Sequence, residues 1–405
     1  MESILKECVS PFVHTVSRGS EVIGYVAIDS TVGGRSCGGL RMLPDIDEEE
    51  MQGLARAMTL KYGFLGLPHG GAKAGVRYDP EALQEERWQR LAEFGRAIAP
   101  LLINRTYFPA TDMGTNNADI RFMLKSVGVR VGRRELRGTQ SGYYTALTVF
   151  TGAKCATQYL NINISNCEIA IEGFGKVGSE LARAFAQTNA RIVAVSTSRG
   201  AIYNPKGLDV KRLISLAEEV GSRVVDLYTE ADHIDRSTLL ELPVDLLCPC
   251  ARHNSIRSDN THLINAKIIC PGANNPITPE AERMLFERGI LCLPDFVANS
   301  GGVLGGTMEF ASVSRANIAM FIESHIGASV SWLLDEANRR GTLPRDIAVS
   351  LALYRFNQIR QNANRPTLRS RFFEAGLELY RCGWIPGRLV AHLSLPYFER
   401  SLAWK

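Results

Sequence analysis

The sequence predicts an α/β protein of two domains, one of them built on a parallel sheet. Three observations carry this. The chain has 405 residues, too many for one small core. Between Cys167 and Thr197 a strand, a glycine-rich turn, a helix and a second strand follow one another. Strand and helix patterns then keep alternating through Val303, as parallel strands joined by crossover helices require.

Composition narrows the class. Hydrophobic residues at 45% and charged residues at 22% are ordinary globular values. The formal charge of +4, from 46 basic and 42 acidic residues, is weak and scattered, so neither nucleic acid nor a membrane is expected as partner. The nine cysteines are an odd number, and Cys248-Pro-Cys250 is their only close pair. No second pair or histidine cluster follows at zinc-like spacing, so free thiols in a reducing compartment are expected, and no metal. Glu2, Lys6 and Glu7 interrupt any leader-like apolar core, and no apolar run approaches the ~20 residues of a membrane span. A cytoplasmic location is the expectation.

In chain order, residues 8–45 alternate as strands do, most clearly in Val22–Ile28, and lead into a glycine-rich turn holding Cys37, Gly38 and Gly39. Asp47 with Glu50 three residues on is a capping arrangement that opens an amphipathic helix. Its residues Met51, Leu54, Ala55 and Met58 form one stripe, and Lys61 shares that inward face. A buried ammonium needs a partner. After Pro-His-Gly-Gly comes Lys73, where the two glycines would let backbone approach a ligand. A turn at Asp79-Pro80 and a helix over 82–98 follow. Asp112 falls after an extended X-Pro segment and before Gly114, at a strand end facing a cleft. The polar stretch Arg133–Thr139 marks a domain boundary.

In the second half, Gly173, Gly175 and Gly178 form G-x-G-x-x-G, with Lys176 and Val177 inside the turn, a helix over 179–187 and a strand over 191–197. Placed between strand and helix, this pattern reads as Rossmann-type dinucleotide binding. The first glycine permits the tight turn, the second admits the pyrophosphate, and the third lets helix pack on strand. The second strand ends in Thr197, Ser198 and Arg199, with no carboxylate there to bind ribose hydroxyls. The cofactor is therefore NAD or NADP, with the balance toward NADP. Loops holding Asn274 and Asn299 end later strands, and helices are expected over 279–288, 318–338 and 345–359.

The string Met58–Val76, with Lys61 ahead of Gly-Gly-x-Lys73, resembles the signature of the glutamate/leucine/phenylalanine dehydrogenase family. Pro109–Gly114 resembles the family's Pro-x-x-Asp-x-Gly block, and the likeness runs over about residues 20–360. It implies an N-terminal α/β substrate and oligomerisation domain (1–139), a dinucleotide-binding domain (140–329) and a C-terminal segment (330–405) returning to the first. The unmatched residues from 365 on, with Trp384 and Trp404, are expected to form a packed helical cap or a subunit interface.

By the same resemblance Lys61 binds the substrate carboxylate, Lys73 activates water and Asp112 exchanges protons with the amine. Ser141 takes the place of a threonine that contacts the nicotinamide amide, and Asn274 and Asn299 lie beside the nicotinamide ribose and ring. Gly38 and Gly39 line the side-chain end of the pocket. Glutamate-specific members carry a lysine just before these glycines, where this chain has Cys37. They carry a serine where this chain has Gly306, and leucine-type members have valine. Both departures imply an apolar substrate with a bulky or aromatic side chain.

The implied activity is reversible, NAD(P)-dependent deamination of an L-amino acid to a 2-oxo acid and ammonia, in a homo-oligomer. The paired lysines suit it. One can hold a carboxylate, and the other, desolvated beside a second ammonium, becomes a base near neutral pH. Alternatives are a glutamate dehydrogenase with an altered pocket, and a nucleotide-binding regulator that no longer turns over.

Overall fold

The computed structural model describes residues 11–132, 134–136, 139–363 and 367–402. Arg133, Arg137 and Gly138 of the expected boundary, the acidic and basic N-terminal residues, and Trp404 lie outside the described residues. The chain forms two compact units. One contains the residues up to Thr139, Phe310–Ser312 and Ser350–Ser401, and the other contains Gln140–Glu309 and Val313–Val349.

The first unit is a five-stranded sheet of β1 (Phe12–Arg18), β2 (Glu21–Ile28), β3 (Ser36–Met42), β4 (Gly70–Val76) and β5 (Tyr107–Thr111), in the order β1-β2-β4-β3-β5. Strands β1, β2 and β4 pair antiparallel, whereas β3 pairs parallel with both β4 and β5. The predicted cap holds at the start of α1 (Glu48–Leu65), where Asp47 Oδ1 accepts from the Glu50 amide at 2.7 Å. The helix stops at Gly66, whose φ of 67° suits glycine. Its stripe is buried as the periodicity requires, and Lys61 with it at 5% exposure. Helices α2 (Gln84–Ala97) and α3 (Asn117–Ser126) complete the other face, with Leu91, Phe94, Ile120 and Met123 in the core.

Strand β4 reads Gly-Gly-Ala-Lys-Ala-Gly-Val, a composition of low strand propensity, yet every residue in it is buried. The cause is the closeness of α1. A Cβ on Gly71 would lie 2.2 Å from the Thr59 nitrogen and 2.4 Å from the Ala55 carbonyl oxygen. The glycine ahead of Lys73 thus serves helix–strand contact, where the sequence suggested approach to a ligand. Gly70 and Gly71 belong to the strand and not to a turn.

The second unit is a seven-stranded sheet ordered β12-β11-β10-β6-β7-β8-β9. Its parallel part comprises β6 (Glu168–Glu172), β7 (Arg191–Thr197), β10 (Leu246–Pro249), β11 (Ile268–Ile269) and β12 (Leu291–Cys292). Strands β8 (Gly200–Tyr203) and β9 (Asp232–Ile234) extend it antiparallel. Around it lie α4 (Ser141–Tyr159), α5 (Lys176–Phe185), α6 (Val210–Val220), α7 (Pro279–Glu287), α8 (Gly301–Phe310) and α9 (Gly327–Arg340). Helix α5 begins three residues before the expected position because Gly178 lies inside its first turn. The helix expected over 318–338 is interrupted by a wider π turn at Ile322–Ile326.

The chain re-enters the first unit within α10 (Pro344–Ala363), at Ser350 and so beyond the expected boundary at 330. Two helices follow, α11 (Leu368–Cys382) and α12 (Gly387–Leu402). Tyr380 is buried and its hydroxyl donates to the Phe310 carbonyl at 2.5 Å. Ser401 packs on Gly66, where a Cβ would lie 2.7 Å from the Ser401 carbonyl oxygen. Trp384 is exposed. Among the described residues no helix is long and apolar enough to cross a membrane.

The Gly71 contact gives a test. Gly71→Ala forces α1 away from β4, and overpacking of this kind costs about 1–3 kcal/mol. The expected outcome is a lower thermal midpoint by calorimetry.

Candidate active site

Parallel pairing of β4, β3 and β5 brings Lys73, Gly39 and Asp112 to one place. Asp112 is the first residue after β5, and its position is fixed on both sides. Its amide donates to Thr115 Oγ1 at 3.0 Å, and that hydroxyl donates to the Leu40 carbonyl at 2.8 Å. Gly114 follows at φ 73°, with its Cα so near β3 that a Cβ would lie 2.0 Å from the Met42 carbonyl oxygen. Only glycine fits such a corner. Gly39 leaves the space in which the ionic groups meet, since a Cβ there would fall 2.8 Å from Asp112 Cβ and 3.2 Å from Lys73 Nζ. Gly38 instead lies against β4, 1.6 Å from the Ala72 oxygen were it to carry a Cβ.

Lys73 Nζ is 2.6 Å from Asp112 Oδ2, with the lysine side chain 4% exposed and the carboxylate 18% exposed. Arg41 Nε donates to the same oxygen at 3.0 Å. Burial alone would raise the Asp112 pKa, but Arg41 and Lys73 together hold it far below the usual carboxylate range. Burial pushes Lys73 the other way, below an ordinary lysine, and Arg41 adds to that while Asp112 opposes it. Neither Arg41 nor its second partner Glu50 stood among the expected site residues. Nothing in the sequence shows that the Arg41 side chain turns toward Asp112.

Cys37 is half-buried on β3, with the Tyr62 phenol of α1 near its thiol. Burial pushes the thiol up, so it is neutral at physiological pH. Tyr62 and Tyr107 are buried with it, and the Tyr107 hydroxyl donates to the Gly38 carbonyl at 3.2 Å. Lys61, Lys73, Asp112, Cys37, Gly38 and Gly39 all belong to the first unit, and Gly306 to the second. Gly306 is half-buried in α8, next to Gly305, which packs directly on the Tyr144 ring.

In the second unit the expected cofactor residues gather at the carboxyl ends of the parallel strands, where chain order reverses beside β6. Gly173 has φ 92° and abuts Ala251, and Gly178 sits so close that a Cβ would lie 2.0 Å from the Gly173 oxygen. A Cβ on Gly175, by contrast, would meet nothing within 4 Å. The α5 N-terminus behind it has no side-chain cap, so its first-turn amides are available to an anion. Lys176 and Val177 form that first turn, and Gly142, next to Ser141, lies against the Lys176 carbonyl.

Asn299 Nδ2 donates to Asn274 Oδ1 at 3.1 Å and to the Ala273 carbonyl at 2.8 Å, so the two asparagines do meet. Among the described residues Asn299 Oδ1 is buried without a hydrogen-bond partner, an acceptor awaiting a donor. An open glycine cradle, an uncapped helix and this unmatched acceptor fit a dinucleotide. At the end of β7, Thr197 Oγ1 donates to the Ser222 carbonyl at 2.8 Å, Ser198 is exposed, and Arg199 Nε is ion-paired with Asp226. Among the described residues no cluster of His, Cys, Asp and Glu is arranged to hold a metal, and the cysteines are free thiols.

Comparison with known proteins gives this geometry a family. The model of the glutamate/leucine/phenylalanine/valine dehydrogenases matches residues 139–358, and that of their dimerisation domain matches residues 9–128. The NAD-specific glutamate dehydrogenase of Staphylococcus aureus is 37% identical over 299 residues, covering 71% of this chain and 72% of its own. The glutamate dehydrogenase of Thermotoga maritima is 37% identical over 300 residues, again covering 71% and 72%. Among solved structures, L-tryptophan dehydrogenase from Nostoc punctiforme superposes with a TM-score of 0.59 at 25% identity, covering 89% of this chain and 99% of that one. The hetero-hexameric glutamate dehydrogenase of Thermus thermophilus gives a TM-score of 0.73 at 24% identity over 86% and 88%. This chain therefore belongs to the glutamate/leucine/phenylalanine/valine dehydrogenase family, NAD(P)-dependent oxidoreductases that act on the CH–NH2 group of amino acids.

Proposed function

We propose that the protein interconverts an L-amino acid with an apolar, bulky side chain and the corresponding 2-oxo acid and ammonia. The observation that carries this is Cys37. A thiol held neutral by burial stands where the glutamate-specific signature has a lysine, so no cation there meets a distal carboxylate. Gly306 supports the same reading by leaving room for side-chain bulk. The solved L-tryptophan dehydrogenase, a structural neighbour, supports a large substrate within this fold. The curated relatives named for glutamate favour a second reading, glutamate turnover through an altered pocket. The presence of Lys73 and Asp112 as an ion pair weighs against a regulator without catalysis.

In this reading Lys61 holds the α-carboxylate as a point charge. Asp112, ionised, takes a proton from the substrate ammonium so that the nitrogen lone pair is free. A bound nicotinamide cofactor supplies the hydride acceptor. Lys73, its ammonium form disfavoured by burial, draws a proton from the water that attacks the oxidised carbon. Gly173, Gly175, Lys176, Val177 and Gly178 hold the pyrophosphate, and Ser141, Asn274 and Asn299 orient the nicotinamide end. We infer NAD as cofactor. The expectation of NADP rested on the missing carboxylate at the end of β7 and on Ser198 and Arg199, and the Arg199 guanidinium is ion-paired with Asp226. The NAD-specific relatives agree with this. The dimerisation-domain match supports a homo-oligomer.

Four outcomes are expected. Reduced-cofactor absorbance with NAD and a panel of L-amino acids will show turnover on leucine, phenylalanine or tryptophan and little on glutamate; the reverse order would establish the second reading. Asp226→Ala releases Arg199, and the ratio of kcat/KM with NADP to that with NAD rises. For deamination, kcat/KM falls as pH drops and Lys73 gains its proton, with a midpoint below the ordinary lysine value of about 10.4. Asp112→Asn lowers kcat about 10²–10⁴-fold, the usual range for loss of a proton-transfer group.

A further inference from the structure

The pair Asp47 and Glu50 reads as a reciprocal cap, but only half of it forms. Asp47 accepts from the Glu50 amide, whereas the Glu50 carboxylate turns inward and accepts from Arg41 Nη1 at 2.5 Å. Both side chains of that bridge are deeply buried, at 5% exposure for Arg41 and 1% for Glu50. Arg41 then reaches Asp112 through its other edge. The groups facing Asp112 come from every surrounding element: Arg41 on β3, Lys73 on β4, Tyr107 on β5, and Glu50 on α1 behind the guanidinium.

A consequence lies in which oxygen these groups use. Arg41 and Lys73 both bind Oδ2, so Oδ1 of this half-buried carboxylate is left without a protein partner among the described residues. A guanidinium anchored at its far end to a helix cannot swivel, and it fixes the plane of the carboxylate. We propose that Arg41, braced by Glu50, is a positioning residue that keeps Asp112 ionised and presents its Oδ1 to the substrate amine. This rests on the reading of Asp112 as the proton-exchanging group. In the exchange an N–H bond of the ammonium breaks, its electron pair stays on nitrogen, and the proton forms the O–H bond at Oδ1.

The test uses the full-length enzyme and the profile of kcat/KM against pH for its best amino-acid substrate. Replacing both buried charges together, Arg41→Met with Glu50→Leu, avoids a lone buried ion. Without the guanidinium Asp112 binds its proton more readily and Lys73 keeps its own to higher pH. The acidic limb therefore moves up by about one pH unit or more, kcat falls at least about 10-fold, and KM for the amino acid changes little. A folded double variant with wild-type limb and kcat would overturn the proposal. Arg41→Lys is the second variant and keeps the charge but cannot span both carboxylates. It should hold the limb near its wild-type position while kcat falls, and an unchanged kcat would count against positioning. Asp112→Asn separates the two levels. If that variant keeps wild-type activity, the reading of Asp112 fails. If it is inactive while the Arg41 variants are normal, only the role of Arg41 falls.

Discussion

A lysine and an aspartate in contact beneath a protein surface are a liability unless other groups hold them there. Desolvating both charges costs more than their attraction returns, so such a pair persists only where its remaining valences are met. In this chain Arg41 meets one, and Glu50 neutralises Arg41 in turn. The result is an alternating chain of charges, Lys73, Asp112, Arg41 and Glu50, running from β4 to the first turn of α1. Strand register, the glycines of β3 and β4, and the corner at Gly114 are all arranged so that these four side chains can meet.

The substrate and cofactor ends are read by different kinds of chemistry. In the proposed reading selection at Cys37 works by absence, since a neutral thiol gives a second carboxylate no cation to bind. At the end of β7 the same reading has it work by occupation, since Asp226 is ion-paired with the Arg199 guanidinium that a phosphate would use. Lys61, Lys73 and Asp112, to which the proposed reading gives the chemistry, carry no information about the side chain or the cofactor.

Much of this was legible in the sequence. The amphipathic stripe located α1 and the inward Lys61, because periodicity reports burial directly. The glycine pattern between strand and helix located the dinucleotide turn, because each glycine there answers to a steric need. Three things were not legible. The Arg199–Asp226 pair joins residues 27 apart along the chain, so a strand end without an acid looked empty of one. Glu50 looked like a capping residue because local sequence shows a side chain's options and not the partner that wins it. Gly71 looked like a ligand contact because close approach of a helix and of a ligand demand the same residue. In each case the missing term was tertiary.

The last helix has a bearing on how this protein is handled. Ser401 sits on Gly66, the residue that ends the helix carrying Lys61, and Tyr380 ties α11 to Phe310 and Ser312. The family likeness stops at residue 358, and a shortened expression product cut there would look well chosen from an alignment. Such a product would lose α11 and α12 and uncover the end of α1, including the glycine whose lack of a side chain exists to receive them. Segments outside a family's common core can be as much a part of the active framework as the motifs that name it.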